Sequence, residues 1–124
     1  MDLDDFKTIN DAFGHETGDR VLKIVTHTLT SNIRLMDRVG RWGGEEFIVI
    51  LPRVAETDLC LSGERLRVLV EQSRIHVDGQ PVAVTLSGGA TLSLPTDTVA
   101  SIVNRADRLM YASKQAGKNR ITCG

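Results

Sequence analysis

The chain has 124 residues, 41% of them apolar and 25% charged, and a net charge of -1. That balance fits one soluble globular domain over residues 1–124 and excludes a disordered chain; no apolar run approaches the roughly 20 residues of a membrane-spanning helix. The near-neutral charge also excludes a general pull toward nucleic acid or anionic lipid, so any anion site has to be local.

The opening MDLDDFKTIN has neither the basic nor the apolar region of a signal peptide, which predicts a cytoplasmic segment without membrane contact, from a parent protein that could still be anchored elsewhere. After Gly18-Asp19, the residues Val21, Leu22, Val25, Leu29 and Ile33 recur at helical spacing, with Asp19 where an N-cap would sit. Val39 to Trp42 and Phe47 to Leu51 read as two strands flanking GGEE, a hairpin whose turn the glycines permit by tolerating positive φ. Pro52 closes the second strand. A second helix is expected from Thr57 to Gln72, although Gly63 weakens it. A strand from Val82 to Leu92, paired with a short one near Ile75 to Val77, precedes a last helix carrying Val99, Ile102, Val103, Ala106, Leu109 and Met110 on one face and ending at Gly117. A short strand at Arg120 to Thr122 would finish the chain. The order α-β-β-α-β-α predicts an α/β (α+β) domain with helices packed on a mostly antiparallel sheet.

Cys60 and Cys123 form no metal-ligand spacing and no disulfide framework, so both are expected to be reduced packing residues. The carboxylates Asp2, Asp4, Glu45 and Glu46 fall in loops or at strand ends, where function concentrates. Oxygen ligands without histidine or thiolate suit a hard divalent ion such as Mg²⁺; the alternative is a solvated acidic turn. Two adjacent acids also call for a positive group nearby. Trp42 and Phe47 are expected to pack in the core or at its rim, and His15 to be a structural loop residue.

The segments DLDDFKTIND, FGHETGD, RWGGEEF, TLSGGA and RADRLMYASKQAGKNR resemble, in order and spacing, the signature blocks of GGDEF-domain diguanylate cyclases. The resemblance covers essentially the whole chain. It implies a ferredoxin-like, palm-type nucleotidyl cyclase fold whose N-terminal helix and most of whose first strand are missing here. It implies a reaction in which two GTP molecules become cyclic di-GMP and two pyrophosphates, each domain of a homodimer presenting one GTP to the other. A sensor or receiver domain is expected in the parent protein. The alternative is a module that binds GTP or cyclic di-GMP without turnover.

Carried over by resemblance, Asp2, Glu45 and the backbone carbonyl of Leu3 hold Mg²⁺, one or two ions per GTP with Mn²⁺ as a substitute. Glu46 assists metal binding or deprotonation of the attacking 3′-hydroxyl. Gly43 and Gly44 leave room for the nucleotide. Asn10 and Asp19 recognise guanine, against ordinary roles as a turn residue and a helix N-cap. Lys114 and Lys118, four positions apart and so expected on one helical face, bind phosphate with the backbone amides of Phe6 and Lys7. Two residues depart from the family pattern. Lys118 stands where arginine is usual, keeping the charge without the planar fork. Gly88 replaces an aliphatic residue, which predicts lost packing in a central strand. Finally, RLMD at 34–37 has the form of the family's product-inhibition site, implying that Arg34, Asp37 and the more distant Arg65 bind cyclic di-GMP.

Overall fold

In the computed structural model, which describes residues 1–73 and 75–124, the elements run β1 (Asp2–Leu3), α1 (Phe6–Phe13), α2 (His15–Ser31), β2 (Arg38–Arg41), β3 (Phe47–Ile50), α3 (Glu56–Glu71), β4 (Ile75–Val77), β5 (Gln80–Val82), β6 (Leu86–Ala90), α4 (Val99–Gln115) and β7 (Ile121–Cys123). The expected helices and strands are present, with the two-residue β1 and two larger additions. Helix α1 covers a stretch read as turn, where Phe6 and Ile9 supply the buried face and Gly14, at φ 86°, separates it from α2. Strand β5 is distinct from β6 and is the partner of β4, through a turn in which Asp78 and Gly79 both have positive φ. That conformation matches the right-handed twist of a tight hairpin. The strand expected from 82 to 92 is therefore two pieces.

Strand β6 pairs antiparallel with β1 and parallel with β7, while β2 and β3 form an antiparallel hairpin. The hairpin meets β1 through one bridge, Asp2 with Glu46, reinforced by Leu3 N–H donating to the Glu45 carbonyl at 3.2 Å and Phe47 N–H to the Met1 carbonyl at 2.8 Å. Leu3, Phe6, Ile9, Val21, Leu22, Val25, Leu29, Phe47, Leu66, Val70 and Leu86 are buried in one core. It joins the sheet to α1, α2 and α3. The periodicity of Val21, Leu22, Val25 and Leu29 dictates that arrangement, because residues three and four apart share a helical face.

Alternation along β6 turns Leu86 into this core and sends Ser87 and Gly89 to the opposite face. There α4 approaches so closely that a Cβ on Gly89 would lie 2.0 Å from the Ala106 carbonyl oxygen. Glycine is required by that contact. The helical Gly63 has a similar reason, since a Cβ there would meet Ile121 of β7 at 3.1 Å. At Gly88 the volume of an aliphatic side chain is taken instead by Ile121 and Met1, whose atoms lie 2.7 and 3.0 Å from where its Cβ would stand. The packing is supplied by neighbours.

Three further expectations are corrected. Helix α2 starts at His15, so Asp19 is an exposed residue inside it and not its N-cap. Trp42 is 61% exposed, whereas Phe47 is core as expected. Cys60 on α3 and Cys123 on β7 form a disulfide, with Cα atoms 6.1 Å apart. A separation of 63 positions carries no local signal of that pairing. Among the described residues, no helix is long and apolar enough to cross a membrane.

Candidate active site

Short strand β1 brings the acidic residues together, because antiparallel pairing with β6 and the single bridge to Glu46 fix its two residues between the GGEE turn and α4. Asp2 is half-buried and Leu3 fully buried. The ammonium of Lys114, from the last turn of α4, hydrogen-bonds the Asp2 carboxylate, donates to the Leu3 carbonyl at 3.2 Å and lies 3.5 Å from Asp4 Oδ1. A cation thus rests on the two oxygen groups that the resemblance gives to a metal. That contact tests the donor set directly: these oxygens attract positive charge and carry no nitrogen or sulfur competitor, which fits a hard divalent ion. Among the described residues no three carboxylate, histidine or cysteine side chains already converge as a metal cluster.

Asp4 belongs to the frame and not to this oxygen set. It is 5% exposed, and its carboxylate accepts hydrogen bonds from Thr85 Oγ1 at 2.8 Å, Ser87 Oγ at 2.7 Å and the Asn119 backbone amide at 3.0 Å. A buried carboxylate is stable only when its oxygens are satisfied in this way. The signal was present in TLS, since Thr85 and Ser87 are two apart and share a face. Behind Asn119 stands a second network. Its side chain accepts from Arg67 and donates to Glu71, and Glu64 accepts from both Arg67 and the Ile121 amide. The Arg67 bond, followed by the Asn119 bond, holds the Glu71 carboxyl below its usual range.

In the GGEE turn neither glycine has positive φ, contrary to expectation. A Cβ at Gly43 would meet the Glu46 carboxylate at 2.4 Å, while at Gly44 the space is open. The glycines therefore make room, the first for Glu46 itself. No cationic side chain among the described residues pairs with either glutamate, but Arg41, which sequence reasoning left unnamed, stands at the turn. Its guanidinium wraps the turn, donating to the Gly43 carbonyl at 3.1 Å and, through Nη2, to the Gly44 carbonyl at 2.6 Å. It binds the backbone and leaves the two glutamates for other partners.

Lys118 does not share a helical face with Lys114. Helix α4 ends at Gln115, Gly117 has φ 109° and Lys118 itself φ 63°, so the chain reverses before Lys118 is reached. Both lysines nonetheless face the β1–α1 segment, Lys118 donating to Asp5 Oδ1 at 2.5 Å. That hydrogen bond raises the Lys118 pKa. The amides of Phe6 and Lys7 open α1, whose N-cap Asp5 makes no side-chain capping bond. Such a helix start favours negative charge.

Asn10 lies on α1 facing Gly18 of α2, where a Cβ would come within 1.9 Å of Asn10 Oδ1. Gly18 makes the pocket for that amide. Asn10 Oδ1 is buried and has no hydrogen-bond partner among the described residues. Asp19, next to Gly18, lines an open depression with Leu22, Lys23, Thr26, His27, Thr30 and Arg41. Elsewhere, Arg34, Asp37 and Arg65 line one shallow depression with Leu51, Pro52 and Val54. Within it the Asp37 carboxylate accepts the Arg34 amide at 2.8 Å, and Arg65 donates to the Asn32 carbonyl at 2.8 Å.

Comparison with known proteins gives the family and the fold. Residues 1–120 match the family described as "Diguanylate cyclase, GGDEF domain". Diguanylate cyclase A of Treponema denticola is 42% identical over 98% of this chain and 33% of its own length; DgcP of Pseudomonas aeruginosa is 39% identical over 98% and 18%. The chain thus spans a third or less of these two relatives. Among solved structures, diguanylate cyclase SiaD of Pseudomonas aeruginosa, in complex with its activator SiaC, superposes with a TM-score of 0.95 at 36% identity, covering 99% of this chain and 47% of that one. The GGDEF domain of DgcB from Caulobacter crescentus, in complex with c-di-GMP, gives 0.93 at 35% identity over 98% and 73%. Matched over nearly its whole length in sequence and fold, the chain belongs to the GGDEF domain family of diguanylate cyclases.

Proposed function

We propose that the chain is the catalytic domain of a diguanylate cyclase, condensing two GTP into cyclic di-GMP and two pyrophosphates as one half of a homodimer. The observation that carries this reading is the Asp2–Glu46 bridge, which brings the GGEE turn alongside Asp2 and within the neighbourhood of the Lys114 ammonium. Asp2, the Leu3 carbonyl and Glu45 would hold the divalent ion, Mg²⁺ or Mn²⁺. When bound, that ion neutralises phosphate charge and makes the 3′-hydroxyl a better nucleophile.

The chain's own groups do the rest. Glu46 stands beside the same turn as the acceptor for the 3′-hydroxyl proton or as a further oxygen ligand. Lys114 and Lys118 bind the triphosphate with the Phe6 and Lys7 amides at the start of α1. Lysine at 118 serves as a point charge, which suits its place after the reversal at Gly117. Asn10, half-buried on α1, would meet the guanine edge with its side-chain amide, and Asp19 with a carboxylate that accepts from N1–H and the 2-amino group. Adenine presents an acceptor at N1 and no 2-amino group, and so would leave the Asp19 carboxylate without either bond.

Product inhibition at Arg34, Asp37 and Arg65 belongs to the same proposal. The shared depression of these three residues supports it, with the arginines offering forks to phosphate or guanine. Cyclic di-GMP is then both product and inhibitor, and a sensor or receiver domain in the longer protein would supply the input. The proposal is tested by supplying GTP and Mg²⁺, or ATP and Mg²⁺, and measuring pyrophosphate. Release from GTP but not from ATP supports it; no release from GTP refutes it.

A further inference from the structure

Lys114 is assigned above to phosphate, yet its ammonium sits on the Asp2 carboxylate and the Leu3 carbonyl. These are two of the three groups proposed for the divalent ion. An ammonium and a divalent cation cannot occupy the same oxygens, because their like charges repel at contact distance. The position is also not a loose surface pairing. Lys114 has a side chain only 26% exposed and Asp2 one 14% exposed, and Asp4 stands 3.5 Å from the same nitrogen. Asp4 itself is committed to Thr85, Ser87 and the Asn119 amide, so it adds attraction without offering an alternative seat.

We infer that Lys114 is a resident cation of the metal site, which a divalent ion displaces and a triphosphate draws away. It rests on the metal reading of Asp2 and Leu3 given above. One residue then couples two ligands. Metal without nucleotide meets a site already neutralised by Lys114, and nucleotide without metal meets a lysine already paired with Asp2. When both arrive together, the ammonium transfers to phosphate and its oxygens pass to the ion. By linkage, each ligand strengthens the other's binding by the same factor. The site thereby resists filling by metal alone, since apparent affinity falls with the fraction of molecules whose oxygens are free.

The test uses the whole chain with Mn²⁺ alone, followed by the electron paramagnetic resonance signal of the free ion. Lys114→Met should bind Mn²⁺ about tenfold more tightly than the parent, the worth of one charge-assisted hydrogen bond to a carboxylate. Equal or weaker binding by Lys114→Met overturns the inference. A second measurement needs no variant: Mg²⁺ alone should increase acylation of Lys114 by an amine-reactive reagent, read by mass spectrometry against exposed Lys23. Unchanged Lys114 labelling at saturating Mg²⁺ also overturns it. Asp2→Asn in the Lys114→Met background separates this idea from its foundation. Retention of tight Mn²⁺ binding there would sink the metal reading itself. If Asp2→Asn removes Mn²⁺ binding while Lys114→Met does not tighten it, only the resident-cation role fails.

Discussion

The Ser87 hydroxyl donates a 2.7 Å hydrogen bond to the carboxylate of Asp4, 83 positions earlier in the chain. It fixes the segment that carries Asp2. Asp4→Ala leaves Thr85, Ser87 and the Asn119 amide without their acceptor in a buried place, and should destabilise the fold by about 2 to 4 kcal/mol. Ser87→Ala removes one donor and should cost about 1 to 2 kcal/mol. Urea unfolding of both variants checks the order, and an Asp4→Ala protein as stable as the parent contradicts it.

Asp2→Asn and Glu45→Gln change charge at half-buried positions without removing a core contact. Turnover of GTP should be lost in each, while the unfolding midpoint stays close to that of the parent in Glu45→Gln and falls modestly in Asp2→Asn, which loses its pairing with Lys114. Activity within a few fold of the parent in either variant would remove that residue from the metal site.

Asp19 is exposed on α2 and makes no packing contribution to the core. Asp19→Ala should therefore act on recognition, lowering the preference for GTP over ATP by about tenfold or more while leaving stability unchanged. Relative kcat/KM for the two nucleotides is the measurement.

Arg34→Ala should raise the cyclic di-GMP concentration needed for half-inhibition by at least tenfold without lowering the initial rate, since Arg34 stands apart from β1 and the GGEE turn. Equal inhibition of parent and variant at matched GTP would assign the depression a structural role only.

The loop before α4 carries a pH-dependent clamp. Asp97 accepts from both Arg105 terminal nitrogens, from the Leu94 amide and from Ser101, and the Arg105 bond above all holds its carboxyl well below the ordinary value of 3.8. A depressed carboxylate contributes stability that is present above its unfolded pKa and lost as pH falls through its folded one. Asp97→Asn should accordingly be less stable than the parent at neutral pH, and the difference should narrow as pH drops below about 3.8. A gap independent of pH would mean that packing, and not charge, holds the loop.

Much of this was legible in sequence because its signals are periodic. The four apolar positions of α2, the apolar run of β3 and the glycine stop after α4 each report a local rule that the tertiary structure obeys. What escaped depends on long-range or context-set contacts. Helix α1 is only eight residues long and starts from Asp5 in a left-handed conformation, so no cap residue announced it. The reversal at Gly117 redirects Lys118, and nothing in the four-residue spacing foretells that. The inward turn of Asp4 depends on donors from β6, and the Cys60–Cys123 bond on the docking of β7 against α3. The family blocks carried a different kind of information, naming residues from β1, the GGEE turn and the end of α4 that lie far apart in sequence and that no periodicity links.

Cyclase chemistry at the Asp2–GGEE junction fixes the ratio in which its products appear. The chain is incubated with GTP and Mg²⁺ while pyrophosphate and cyclic di-GMP are both quantified. Two pyrophosphates per cyclic di-GMP, with both products lost in Glu45→Gln, is the predicted result. GTP bound with neither product released would contradict it and identify a binding module.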